Sequence, residues 1–152
     1  MLSKYFSEKE ALRSNKAEEL GIDNKPDDIN QMVAIVRTAA KMDRIREFFG
    51  KPIIPTSWFR NLAVNKAVGG VDGSQHNKGE AVDFYIPGLG AGDIVLQLKP
   101  KMAEFEIDQL ILEPGWVHVS FLTYPGGSRS MPRNQLIIDK RVRPVDIPKG
   151  LL

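Results

Sequence analysis

The sequence predicts an α+β fold in which helices flank a small antiparallel sheet. Three observations carry that prediction. Residues 27–49 repeat apolar side chains at helical spacing, short β-branched segments gather in the second half, and a tight Glu113-Pro114-Gly115 turn joins two of them as a hairpin instead of a βαβ unit. At 152 residues and 17.0 kDa, with 42% hydrophobic residues, the chain is expected to form one domain over 1–152. A chain of that size buries about two thirds of its unfolded surface.

Ser7 followed by Glu10 fits a capping box, so a short helix is expected from Glu10 to Leu20, closed by Gly21. Between Asp27 and Phe49, the series Ile29, Met32, Val33, Val36, Ala40 and Phe48 marks the principal helix, with Gly50 as its stop. Residues 51–59 are β-branched and aromatic and bounded by prolines, which reads as an edge strand. A short helix over 62–68, a strand over 81–86 and a helix over 92–103 follow. Strands over 107–112 and 116–122 form the hairpin, and 135–139 adds a further strand. Residues 141–152, carrying Pro144 and Pro148, read as an extended tail.

With no cysteine, a disulfide framework, a thiolate metal site and a thiol nucleophile are all excluded, so any metal is held by nitrogen and oxygen. The first ten residues lack the apolar core of a secretory signal, and no later run approaches a membrane span. A soluble monomer made in the cytoplasm is expected. Net charge is +2, but residues 129–149 alone carry +4, a modest pull toward anionic polymers. Nucleic acid is not an expected partner, because that segment has no interleaved aromatics and the total charge is small.

The two histidines sit in Ser74-Gln75-His76-Asn77-Lys78-Gly79-Glu80-Ala81-Val82-Asp83 and in Trp116-Val117-His118-Val119-Ser120. Strand alternation sets Asp83 on one face with Ala81 and Tyr85, and His118 on one face with Trp116 and Ser120. A carboxylate in that apolar company needs a metal or a strong hydrogen-bonding partner, since an unpaired buried charge costs several kcal/mol. Gly79 lets the backbone turn, so a loop histidine and a strand aspartate converge. Two imidazoles and a carboxylate leave a fourth position open, the arrangement of a catalytic rather than a structural zinc.

The pattern SxHxxGxAxD followed by WxHxS resembles the zinc D-Ala-D-Ala carboxypeptidase family of bacterial and phage murein peptidases, related in fold to the hedgehog signalling domain. Lys51-Pro52-Ile53, Thr56-Ser57-Trp58-Phe59-Arg60, Asn65-Lys66-Ala67-Val68-Gly69-Gly70 and Asp108-Gln109-Leu110-Ile111 extend the resemblance over about residues 6–125. It implies a hedgehog/DD-peptidase-like sheet with Zn2+ held by His76, Asp83 and His118. Arg60 would face the substrate, where a guanidinium polarises the scissile carbonyl or binds a carboxylate. Ser74 and Gln75 would shape the loop and hydrogen-bond the ligands.

Cleavage also needs a group that takes a proton and passes it to the leaving amine. Many members of the family place a glutamate three residues before the last histidine, and here that position is Gly115. Glu113, at the mouth of the hairpin, is the leading candidate and Asp108 the second. Glu80 is expected to face solvent, and a site without an efficient base is the remaining option. The expected activity is hydrolysis of peptidoglycan stem peptides, by a D-Ala-D-Ala carboxypeptidase or a murein endopeptidase. The resemblance implies a phage or prophage lysis enzyme that reaches the wall through a holin-type pore, with the basic tail aiding adhesion. The alternative is a non-catalytic zinc-binding recognition module of the same fold.

Overall fold

Asp28 starts the longest element, the 21-residue helix α3 (Ile29–Phe49). Its side chain accepts from the Gln31 N–H at 2.8 Å while Gln31 Oε1 accepts from the Asp28 N–H at 3.2 Å, so two donors of the first turn are satisfied reciprocally. Gly50, left-handed at φ 63°, ends the helix by donating to the Arg46 carbonyl. The structure is a computed structural model covering residues 1–152.

The amino-terminal segment forms two helices, α1 (Glu8–Leu12) and α2 (Asn15–Leu20), where the sequence predicts one. Ser14 is the reason: its side chain accepts from the Ala17 N–H at 3.2 Å, a local bond that competes with helix continuation and caps a new start. Helices α4 (Leu62–Ala67), α5 (Gln75–Lys78) and α6 (Ala91–Leu98) follow, and α6 tightens into a 3-10 turn over Lys99–Lys101. That turn falls short of the helical end expected at 103, because Pro100 has no N–H for the α-helical ladder.

Five strands form one sheet: β1 (Ile54–Ser57), β2 (Ala81–Tyr85), β3 (Gln109–Leu112), β4 (Val117–Ser120) and β5 (Gln135–Ile138), in the order β1-β2-β4-β3-β5. As expected, β1 lies on an edge and β3–β4 is the hairpin. The sheet is antiparallel except at β5, which runs parallel to β3. This departs from the all-antiparallel expectation. Residues 121–134 return the chain to the far side of β3, and a connection of a dozen or more residues permits that crossover.

Val82, Phe84, Leu110, Leu112, Val117 and Val119 are buried on one face of the sheet. They share a core with Ile35, Ala39, Met42 and Ile45 of α3 and Ile94, Val95 and Leu98 of α6. The opposite face carries Asp83, His118, Ile111 and Glu113, all partly exposed. Burying one face therefore turns the polar side chains toward solvent. Residues 141–152 hold a single 3-10 turn, Pro144–Asp146, yet Val142 and Leu151 are buried and Lys99 Nζ donates to the Leu151 carbonyl at 3.1 Å. The tail is thus strapped across α6. No helix is long and apolar enough to cross a membrane.

Candidate metal centre and active site

His76 lies in the single helical turn α5, not in an irregular loop. Ser74 caps that turn by accepting from the His76 N–H at 3.2 Å, and Gly79 closes it at φ 81°. A Cβ on Gly79 would come within 2.8 Å of Ile35 Cγ1 and 3.0 Å of the Gln31 carbonyl, so only glycine lets this turn lie against α3. Two further bonds fix the turn: Arg60 N–H to the His76 carbonyl at 3.1 Å and Gln31 Nε2 to the Asn77 carbonyl at 3.0 Å.

Asp83 and His118 are directly paired across β2 and β4, and His118 is paired in turn with Ile111 of β3. Cross-strand partners hold their Cβ atoms about 5 Å apart, which brings the two side chains together with no further device. His118 Nδ1 is 2.9 Å from Asp83 Oδ1, and His76 Nε2 is 3.4 Å from the same oxygen. The three candidate ligand atoms all lie within 4.8 Å of one another. Tetrahedral zinc with bonds of 2.0–2.1 Å sets its ligands about 3.3 Å apart, so the spacing is that of a metal cage.

The Trp58 carbonyl decides how His76 is used. It lies 2.6 Å from His76 Nδ1 and can only accept, so Nδ1 carries the proton and Nε2 presents a lone pair toward Asp83. A lone pair facing a carboxylate oxygen at 3.4 Å is repulsive unless a cation lies between them. An imidazole whose other nitrogen donates to a backbone carbonyl is the usual outer support of a metal ligand. The residues present therefore fit zinc. Burial pushes the Asp83 carboxyl up, and it is held well below the usual range only when positive charge faces it, as in the protonated forms of His76 and His118.

Glu113 stands on the same face. Its N–H donates to the Trp116 carbonyl at 3.0 Å, one step beyond the Leu112↔Val117 pair, so it occupies the position diagonal to His118. Diagonal neighbours lie about 7–8 Å apart, a gap that a glutamate and one water span. Burial raises the Glu113 pKa, and the neighbouring Asp139 carboxylate raises it further. Arg141 joins the two, with Nη2 3.1 Å from Glu113 Oε2 and Nε 2.9 Å from Asp139 Oδ1. Only the parallel pairing of β5 brings Asp139 and Arg141 here, so no local sequence signal marks them.

Arg60 is half-buried beside the metal turn, with Nη2 3.5 Å from Ser74 Oγ and Nε buried without a partner. Desolvation lowers its pKa, while Asp83 favours the charge. Asp108 is elsewhere engaged: fully buried, it accepts from Arg133 Nη2 at 2.7 Å, the Arg133 N–H at 2.7 Å and Gln75 Nε2 at 3.1 Å. That network leaves it no free oxygen for proton transfer. Gln75 thus serves Asp108, not a metal ligand. Glu80, expected in solvent, is buried, because the Thr123 and Tyr124 N–H groups donate to its Oε2 at 2.8 and 3.0 Å. The +4 of the tail segment is partly spent as well, since Arg133, Arg141 and Arg143 are ion-paired.

A nitrogen and oxygen ligand set on the open face of a sheet, with a carboxylate beside it, defines a metal-dependent hydrolase. The chain belongs to the Peptidase M15 family, the zinc D-Ala-D-Ala carboxypeptidase family, whose model matches residues 4–120. No curated protein matches it. Peptidases of this family are zinc-dependent, and His76, Asp83 and His118 are the group in this chain able to hold the ion.

Proposed function

We propose that the protein hydrolyses stem peptides of peptidoglycan, with zinc held by His76, Asp83 and His118, Glu113 as general acid/base and Arg60 as a cationic substrate contact. A zinc ion held there supplies Lewis acidity, polarising a carbonyl oxygen and acidifying water. Glu113 takes the proton of the attacking water and passes it to the leaving amine. A raised pKa suits that double role, because the group must both accept and release a proton near neutrality. Arg60 stabilises negative charge developing on the scissile carbonyl oxygen.

The observation that carries this reading is the position of Glu113 diagonal to His118 on the metal face. Its sequence spacing differs from the common family pattern, which favours a non-catalytic module, but the Pro114-Gly115 turn restores a carboxylate to the site. A cavity of about 400 Å³ is lined by His118 and Ile111, whereas the cavity of about 640 Å³ that Glu113 borders is walled by the start of α6 and the tail. A role in phage or prophage lysis, with access to the wall through a holin-type pore, accords with a peptidase of this family.

Purified peptidoglycan incubated with zinc-loaded protein and analysed by mass spectrometry tests the proposal. Cross-linked dimers should fall to monomers or shortened stems, and free D-alanine alone would instead mark a carboxypeptidase. Glu113→Gln should lower turnover by about 10²–10⁴ while retaining zinc. A near-normal rate in that variant removes Glu113 from the role, and no product from zinc-bound wild type returns the site to a recognition module.

A further inference from the structure

Beside His118, on the Gln109 side of β3, lies the cavity of about 400 Å³. Its wall holds Gln75, Lys78, Arg129 and Arg133, side chains given no part in the chemistry above. Arg133 is a built element. Its Nε and Nη2 are gripped by Asp108, whose side chain is wholly buried, and Nη2 also reaches Gln75 Oε1 at 3.3 Å. Nη1 makes no hydrogen bond, and the side chain remains 31% accessible. A guanidinium fixed on one edge and open on the other loses little freedom when it binds an anion.

The local charge favours an anion as well. Asp108 balances Arg133, and Glu80, the acid in the cavity wall, gives one oxygen to the two backbone N–H groups of Thr123 and Tyr124. Lys78 and Arg129 have no ion-pair partner. Arg60 is not part of this wall.

We infer that this cavity binds a free carboxylate of the peptide substrate through Arg133, Arg129 and Lys78, so that the protein selects acidic peptides over their amides. The identity of the substrate rests on the peptidase reading; the anion site itself does not. Two probes differ only in their free carboxylates: the pentapeptide L-Ala-γ-D-Glu-L-Lys-D-Ala-D-Ala and its analogue amidated at both the D-glutamate α-carboxylate and the C-terminus.

Calorimetric titration of each probe onto zinc-loaded protein should show the acid binding about tenfold more tightly, the size of one charge-assisted contact. Lys78→Gln/Arg129→Gln should bring that ratio close to one, with thermal midpoint and zinc content retained. Arg133→Lys, which keeps a charge beside Asp108 but loses the planar fork, should reduce it part way. Equal affinity of wild type for both probes, a ratio unmoved in the double variant, or inorganic phosphate competing as well as the acid peptide would each overturn the inference. Preferential binding of the acid without cleavage of either probe leaves the carboxylate site standing and removes the peptidase reading. Cleavage of both with equal affinity does the reverse.

Discussion

Replacing Gly79 by alanine tests whether the packing of one turn against α3 sets the metal site. The residue sits at φ 81°, where an L side chain costs about 1–2 kcal/mol. The new methyl would meet Ile35 Cγ1 at 2.8 Å, the Gln31 carbonyl at 3.0 Å and the Ile35 nitrogen at 3.3 Å. Two of those atoms belong to the helix backbone, so α5 must move, and overpacking of this kind costs about 1–3 kcal/mol. Reduced freedom of the unfolded chain returns about 0.4–1 kcal/mol, leaving a net loss of about 1–5 kcal/mol. Gly50→Ala is the internal control, since Gly50 shares the left-handed backbone at φ 63° but has nothing within 4 Å of its Cβ position. It should lose only about 0–1.6 kcal/mol. Urea unfolding of both variants isolates the contact contribution, and zinc titration should show weaker binding in Gly79→Ala alone, because its displaced turn carries His76. Equal unfolding midpoints for the two variants, or unchanged zinc affinity in Gly79→Ala, would refute the reasoning.

Because burial and Asp139 raise the Glu113 pKa, the base becomes deprotonated at higher pH than an ordinary glutamate. Asp139→Asn should therefore move the acidic limb of the kcat profile to lower pH, and a limb that stays put or moves up counts against Glu113 as the base. Arg133→Ala strands the buried Asp108 carboxylate, a loss of about 3–5 kcal/mol for a fully buried pair and less here because Arg133 is partly exposed. Arg133 holds Asp108 below the ordinary carboxylate range against the upward push of burial, so this stabilisation is present above that range and fades in acid. The stability gap between wild type and variant should shrink as pH falls, and a pH-independent gap in calorimetry would contradict the assignment. Zinc at a hundredfold over its Kd should stabilise the apoprotein by about 2.7 kcal/mol, a rise of roughly 5–10 °C in Tm that His118→Ala removes. A midpoint indifferent to zinc would exclude a folded-state site at these residues.

The amino-acid order by itself determined the features that depend on neighbours in the chain. Helix α3 is legible because its apolar spacing, Asp28 and Gly50 all act within one or two turns. The β3–β4 hairpin is legible because Pro114 and Gly115 define its turn. Strand alternation also places Asp83 and His118 on definite faces of their strands, and the SxHxxGxAxD spacing marks the histidine turn. Ser14 was a local signal too, overlooked because helical spacing continues across it.

Tertiary structure decided which faces meet. The in-register pairing of Asp83 with His118, the Trp58 carbonyl on His76 and the diagonal place of Glu113 all depend on strands and turns far apart in sequence. The parallel return of β5 brings Asp139 and Arg141 to Glu113, and the same return seats Arg133 on Asp108. Glu80 shows the limit most plainly: a charged residue in a polar loop reads as solvated, and only the backbone of Thr123 and Tyr124 folding over it supplies the donors that make burial favourable. Periodicity reports on a residue's own element, whereas hydrogen bonds and ion pairs between elements depend on a crossover whose path no local residue encodes.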